Sequence, residues 1–320
     1  MLGRWNSRPR RIVFLTRASK NRPLLRLRHD LVTLTLRPLH GLKNAHYLSE
    51  STDSESEIAI VVQGPVMQQH DFTYYTIRQY RRLFPKASIV FSTWSGEGGL
   101  SRFDDLCEVI VSDADVVPDR YGNLQMRSSH RGVQEAERLG AKYVLKTRSD
   151  QRFGNNFLLQ SLLAFHSHFS IEPGANQAGR LITCSLDTFL YRIYGVSDMM
   201  TFGKTEDVKA FWSGDYLDND RSLAGVPVEA LYCANFLNRI GDRPDWTMAH
   251  YLRVLRERFL VLDASALGLA WPKYQSTENR WSSAGTPAHL EEITFGKWLA
   301  INMDHFGVDP TLLERPWPEV

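Results

Sequence analysis

Cysteine is scarce: Cys107, Cys184 and Cys233 are the only three in 320 residues, odd in number and widely spaced. No CxxC pair and no Cys/His ligand spacing occurs, so neither a disulfide framework nor a zinc site is expected. The thiols read as reduced and packed, as in a reducing compartment. Long apolar runs are missing too; none approaches the ~18 residues that a membrane-spanning helix needs. Ile12-Val13-Phe14-Leu15 sits between arginines and is too short for a signal-peptide core. A soluble chain, or one attached to a membrane surface, is expected. No GxGxxG follows an apolar strand and no GxxxxGK[ST] occurs, which argues against dinucleotide binding and P-loop chemistry. No GxSxG elbow follows a strand, so an α/β-hydrolase is not expected either.

What is present is ordinary globular material with an uneven charge distribution. Hydrophobic residues make up 43% and charged residues 23%, which excludes a wholly disordered chain. The length allows two domains or one large α/β unit at about 100–200 residues per domain. The net charge of +2 hides an asymmetry: residues 1–43 hold nine Arg and two Lys against the single acid Asp30. The remainder carries −8, so a basic arm is joined to an acidic body. Pro9, Pro23 and Pro38 break the arm up. Leu24, Leu27, Leu31 and Leu34 recur at helical spacing beside Arg22, Arg26 and Arg28, as in an amphipathic helix on an anionic membrane. Alternation from Val32 to Leu36 suits a strand as well, and a solvated extension or an Arg-rich targeting segment fits the same composition. A polar stretch from Glu50 to Ser56 closes the arm, placing the arm and linker at 1–54 and the body at 55–320.

From Ile58 the pattern is α/β. Ile58-Ala59-Ile60-Val61-Val62 reads as a strand buried on both faces, stopped by Gln63-Gly64-Pro65. A helix over 72–84 is stopped by Pro85. Strands follow over 88–93 and 109–111, then a helix over 125–139 closed by Gly140, then a strand over 143–147. This order predicts a Rossmann-like, mostly parallel central sheet flanked by helices, with 55–152 as a nucleotide-binding half and 153–320 as an acceptor half. Ligands of such sheets bind beyond the strands' carboxyl ends. Those ends offer Gln63 and Gly64, Thr93-Trp94, Ser112-Asp113 and Arg148-Ser149-Asp150. Lys146-Thr147-Arg148-Ser149-Asp150-Gln151-Arg152 is the densest polar cluster of the body. Its lone carboxylate, Asp150, suits Mg²⁺ or Mn²⁺ when a diphosphate supplies the other oxygens, and Lys146 and Arg148 suit the phosphates. A surface ion-pair cluster capping the strand is the plainer alternative. Gly64 lets a ligand approach the backbone, Asp113 suits ribose hydroxyls, and Asn123, Gln125, Arg127 and Ser128 near a helix start suit phosphate or sugar oxygens.

Val61 to Val66, the Phe84-Pro85-Lys86-Ala87 to Trp94 segment and Tyr143 to Asp150 resemble the WavE-type lipopolysaccharide-synthesis family. Asn123-Leu124-Gln125 with Ser128, Ser129 and Gly132 fits it too, as does Val196-Ser197-Asp198 running to Phe202-Gly203 and Glu206-Asp207. The resemblance covers about 58–240 and implies a GT-A-like glycosyltransferase of bacterial cell-surface polysaccharide synthesis. It implies a nucleotide-sugar donor, a lipid-linked or oligosaccharide acceptor, a divalent metal, and a cytoplasmic location at or near the inner membrane. No nucleic-acid partner is expected. The usual Asp-x-Asp motif is reduced here to Arg148-Ser149-Asp150, which puts metal dependence in doubt. By the same resemblance Glu229, opening a helix over 229–237, is the candidate catalytic base, although an acid there also complements the helix dipole. Asp198, in a strand-like stretch from Tyr194 to Gly203, is the second catalytic candidate, and His250 or His305 is the late metal histidine. Glu206 and Asp207 read as helix-starting acids. Sugars stack on aromatic rings, and Trp246, Trp271, Trp281 and Trp298 enrich the C-terminal third without one standing out. Two other readings remain open. A nucleotidyltransferase would favour a cation-bearing, glycine-rich loop after the first strand, and here no cation precedes Arg78. A non-enzymatic polyanion- or membrane-binding protein would use the arm, and leaves the 148–150 cluster unexplained.

Overall fold

The computed structural model describes residues 53–114, 121–172, 175–214, 225–271 and 291–303. The basic arm, His305 and Trp281 lie outside the described residues. Seven strands form one sheet in the order β3-β2-β1-β4-β7-β6-β8. They are β1 (Ile58–Gln63), β2 (Ser88–Trp94), β3 (Glu108–Ser112), β4 (Tyr143–Arg148), β6 (Leu181–Cys184), β7 (Thr201–Lys204) and β8 (Phe259–Leu262). All adjacent pairs are parallel except β4–β7 and β6–β7, so β7 alone runs against the rest. A small ladder pairs β5 (Arg152–Phe153) with β9 (Leu269–Ala270). The mixed α/β architecture with a mostly parallel sheet is the one the sequence predicts, and strands from both halves of the body complete the same sheet.

The central strand explains the apolar run at its origin. Every residue of β1 is buried, because β2 and β4 flank it and helices cover both faces. Helix α1 (Phe72–Leu83) ends at Pro85 as expected. Helix α2 (Tyr121–Arg138) starts a turn earlier than its apolar pattern indicates, so Asn123, Gln125 and Arg127 lie inside its first two turns. Gly132 lets α2 lie directly on the sheet: a Cβ there would run into Val61 Cγ1 and stand 3.1 Å from Ser92 Cβ. The other helices are α3 (Leu158–His168), α4 (Thr205–Trp212), α5 (Val228–Arg239), α6 (Met248–Arg258) and α7 (Phe295–Asn302). On one side α2 packs against α4, and α4 against α5.

The stretch from Tyr194 to Met200, expected as part of a strand, belongs to a long buried connection over 185–200. Its peptide groups are satisfied by side chains and by the backbone of 291–293, with Leu190 N donating to Glu291 O and Ile293 N to Thr188 O, both at 2.8 Å, as buried peptide groups require. Thr183 Oγ1 donates to Ser197 O (3.0 Å) and Thr188 Oγ1 to Cys184 O (2.7 Å), while Tyr251 Oη donates to Phe189 O (2.8 Å). Long ordered connections of this kind are commonly functional. The three cysteines are free, with Cys184 and Cys233 buried. Among the described residues no helix is long and apolar enough to cross a membrane.

Candidate active site

The topology gathers the candidate residues at one edge of the sheet. β1 and β4 end there with Gln63 and Arg148 in register. Because β7 runs the other way, its start also lies there, Thr201 pairing with Lys146, and this delivers Asp198 to the same edge. Helices α2 and α5 begin there too, docked by a 2.6 Å hydrogen bond from Tyr232 Oη to Gly122 O.

The turn after β4 is fixed tightly. Ser149 N donates to Gln63 O at 2.8 Å and Gly64 N to Ser92 O at 3.0 Å. Thr73 Oγ1 of α1 donates to Ser149 O at 3.0 Å. Gly64 has φ +127°, and a Cβ there would lie 2.6 Å from Ser149 Oγ, so glycine is required both by conformation and by the close approach. Gln63 is buried, and its amide makes no hydrogen bond among the described residues. Arg148 grips Asp150 through both carboxylate oxygens, Nε to Oδ1 at 2.9 Å and Nη2 to Oδ2 at 3.0 Å. Trp271 donates its indole N–H to Asp150 Oδ2 at 3.1 Å, and its ring lies 5.6 Å from the guanidinium. Asp150 is therefore not an exposed strand-end acid: it is only 8% exposed and held from two sides. Among the described tryptophans of the C-terminal third Trp271 is the one that meets this cluster, a partnership 121 residues apart in sequence that no local signal reveals.

Beneath this turn lies Lys146, expected as a phosphate ligand. It is fully buried, with its ammonium 2.8 Å from the backbone oxygen of Asp198 and 3.9 Å from the centre of the Trp212 ring. Burial draws its pKa down to about 7 against the pull of the Asp198 charge. Lys146 is thus buried behind the turn, with no exposed surface from which to meet a ligand. Gln125 completes the support, donating to Asp198 Oδ2 at 2.7 Å; it is a positioning group for a carboxylate, where a direct ligand contact was expected. The other Asp198 oxygen has no hydrogen-bond partner among the described residues. Glu229 stands in the first turn of α5. Burial, then the Asp198 and Asp187 charges, push its pKa up to about 7, with Arg192 opposing. An acid that merely complemented a helix dipole would be shifted down. Asp187 and Arg192 have no sequence signal of their own and come into the site through the 185–200 connection.

Three expected residues stand apart. Asp113 is exposed at the end of the edge strand β3. Arg127 is about 200° around the helix from Gln125 and faces away from Asp198. It belongs with His130, Lys209, Arg131 and Arg239, and its buried Nε has no hydrogen-bond partner among the described residues. His250 is no partner for Asp150, because both ring nitrogens are engaged: Nδ1 with Tyr194 Oη at 2.7 Å, Nε2 with Arg253 at 2.6 Å and Asp242 at 3.3 Å. Among the described residues no three His, Cys, Asp or Glu side chains are grouped to hold a metal. A divalent ion shared by Asp150 and His250 does not fit this arrangement. Asp207 is not simply a helix-starting acid either, since it accepts from Ala178 N and Gly179 N at 3.0 and 2.9 Å. It lines a groove of about 590 Å³ at the opposite edge of the sheet, which none of the expected catalytic or ligand-binding residues borders.

A family model described as WavE lipopolysaccharide synthesis matches residues 58–312, which span the whole sheet and both carboxylates. The chain belongs to the WavE lipopolysaccharide synthesis family. No curated protein matches its sequence. Among solved structures, it is similar to a glycosyltransferase involved in glycosylation of the major capsid of PBCV-1. The two are 16% identical, with 65% of this chain and 82% of that one covered and a TM-score of 0.35. A mannosyltransferase from Pyrobaculum calidifontis in complex with GDP-Man and Mn²⁺ is 10% identical over 58% of this chain and 56% of that one, with a TM-score of 0.30. Mouse xyloside xylosyltransferase 1 is also 10% identical, over 65% and 85%, with a TM-score of 0.32. At these scores the likeness assigns no role to any residue of the WavE-family chain.

Proposed function

We propose that this WavE-family protein is a glycosyltransferase that moves a sugar from a nucleotide-sugar donor to a lipid-linked or oligosaccharide acceptor in cell-surface polysaccharide synthesis. The observation that carries the reading is the pair Asp198 and Glu229. Two carboxylates meet at the carboxyl edge, Asp198 oriented by the Gln125 amide and Glu229 pushed up to about 7 by burial and by the Asp198 charge, an arrangement suited to acid–base chemistry. In an inverting transfer the acceptor oxygen bonds to the anomeric carbon while the bond from that carbon to the diphosphate oxygen breaks. Glu229 takes the acceptor's hydroxyl proton, and the nucleoside diphosphate departs from the opposite face. Asp198 holds sugar hydroxyls through its outer oxygen. Arg148, backed by Asp150 and Trp271, counters the charge on the departing diphosphate, and Gln63 and Gly64 lie at the strand end where base and ribose would rest. The 55–152 half holds the donor and the 153–320 half the acceptor. The protein works at the cytoplasmic face of the inner membrane, with the basic arm on anionic lipid. The test is transfer from a panel of UDP-, GDP- and CMP-sugars to lipid-linked oligosaccharide acceptors. Transfer from one donor that is lost in Glu229→Gln is expected; transfer retained in that variant would remove Glu229 as the base.

A further inference from the structure

A lysine with no exposed surface is expensive, because the ammonium gives up its hydration. Lys146 accepts that cost on the central strand β4, directly beneath the candidate site, and its contacts account for the placement. Among the described residues it donates a single hydrogen bond, 2.8 Å to the backbone oxygen of Asp198. On its other side it rests 3.9 Å from the centre of the Trp212 ring, an arrangement that stabilises a cation without offering a second acceptor. Gln125 donates 2.7 Å to Asp198 Oδ2 and, more weakly, 3.4 Å to the same backbone oxygen, so the residue is held by its backbone, chiefly by Lys146, and by its side chain. Asp198 lies near the end of an irregular connection, outside any strand, so these bonds from Lys146 and Gln125 fix its carboxylate. We propose that Lys146 is a positioning residue whose ammonium clamps the backbone of Asp198 from below, aiming the outer carboxylate oxygen at the substrate beside Glu229.

This role rests on the glycosyltransferase reading for its chemistry but not for its geometry. Lys146 is faced by the Asp198, Asp150 and Cys184 groups and by Arg148, and Glu229 by Asp198, Asp187 and Arg192. The Lys146 pKa of about 7 means that the charged clamp weakens as the pH rises above neutrality, whereas Glu229 becomes a competent base over the same range.

The test is Lys146→Met, which keeps the volume and removes the charge. Hydrogen–deuterium exchange over residues 194–200 reads the clamp without any substrate. Exchange there should rise in the variant, and should rise in the wild-type chain between pH 6 and pH 8 after correction for the intrinsic rate. The wild-type measurement decides the matter should the variant fail to fold. With UDP and GDP as probes, affinity should stay within twofold. Release of nucleoside diphosphate from the corresponding sugar donors, at acceptor below saturation, should fall about 10²-fold through a raised acceptor KM and lose its alkaline limb. Unchanged exchange overturns the clamp whether or not any nucleoside diphosphate binds. A tenfold loss of UDP or GDP affinity with turnover retained would make Lys146 a phosphate ligand instead. Failure of the wild-type chain to bind any nucleoside diphosphate, with exchange behaving as expected, would sink the transferase reading and leave the clamp standing.

Discussion

The chemistry of Glu229 turns on its surroundings. Its pKa of about 7, raised first by burial and then by the Asp198 charge, makes it a base that is half ionised at neutral pH. Glu229→Gln should lower turnover by about 10²–10⁴ and leave nucleoside diphosphate affinity unchanged, measured by steady-state kinetics beside titration calorimetry. Loss of affinity with turnover intact would instead place Glu229 at the donor. The same shift has a stability consequence. A carboxyl whose folded pKa is raised stabilises the fold fully below its unfolded value near 4.5, and that contribution is lost as the pH rises through about 7. Glu229→Gln should therefore melt at a higher temperature than the wild-type chain at pH 8, with the gap closing toward pH 5. A gap that widens toward pH 5 would contradict the assignment. Asp198→Asn should chiefly raise the acceptor KM, as when ground-state and transition-state binding are lost together.

At the scale of elements, two glycines govern how closely the site is built. Gly132→Ala would press α2 off β1, an overpacking that should cost about 1–3 kcal/mol in urea unfolding. Gly64→Ala places a side chain at φ +127° against Ser149, so it should displace the Arg148–Asp150 turn and weaken diphosphate binding as well as the fold. Wild-type stability in Gly132→Ala would mean that the helix can retreat from the sheet without loss. The strands and helices of the first half were legible because each is short, periodic and punctuated by Pro85, Gly140 or a polar turn. The connection over 185–200 was not. Its peptide groups are met by Thr188 from within, by Thr183 and Tyr251 from neighbouring elements and by the backbone of 291–293, and such bonds leave no period in a sequence. The burial of Lys146 is hidden for a related reason: a lysine beside an arginine at a strand end gives no sign of which face of the strand it occupies.

For the whole molecule, the parallel order and its ligand edge follow from the alternation of elements. The reversed strand β7 and the long-range meeting of Trp271 with Asp150 do not, because both depend on chain segments more than fifty residues apart. The charge asymmetry belongs to this scale too. Deleting residues 1–43 should release the protein from anionic vesicles while sparing activity on a soluble acceptor, since each Lys or Arg near such a leaflet contributes about 1 kcal/mol. Vesicle binding that survives the deletion, or ignores added salt, would defeat that account. In the proposed reaction the carboxyl edge of the sheet holds a nucleoside diphosphate against Arg148. Calorimetric titration of UDP, GDP and CDP into the wild-type chain and Arg148→Ala tests it most directly. One nucleotide should bind, and the variant should lose about 1.5–3 kcal/mol of that affinity with the charge-assisted contact. Binding of none of them, or equal binding by both proteins, would contradict it.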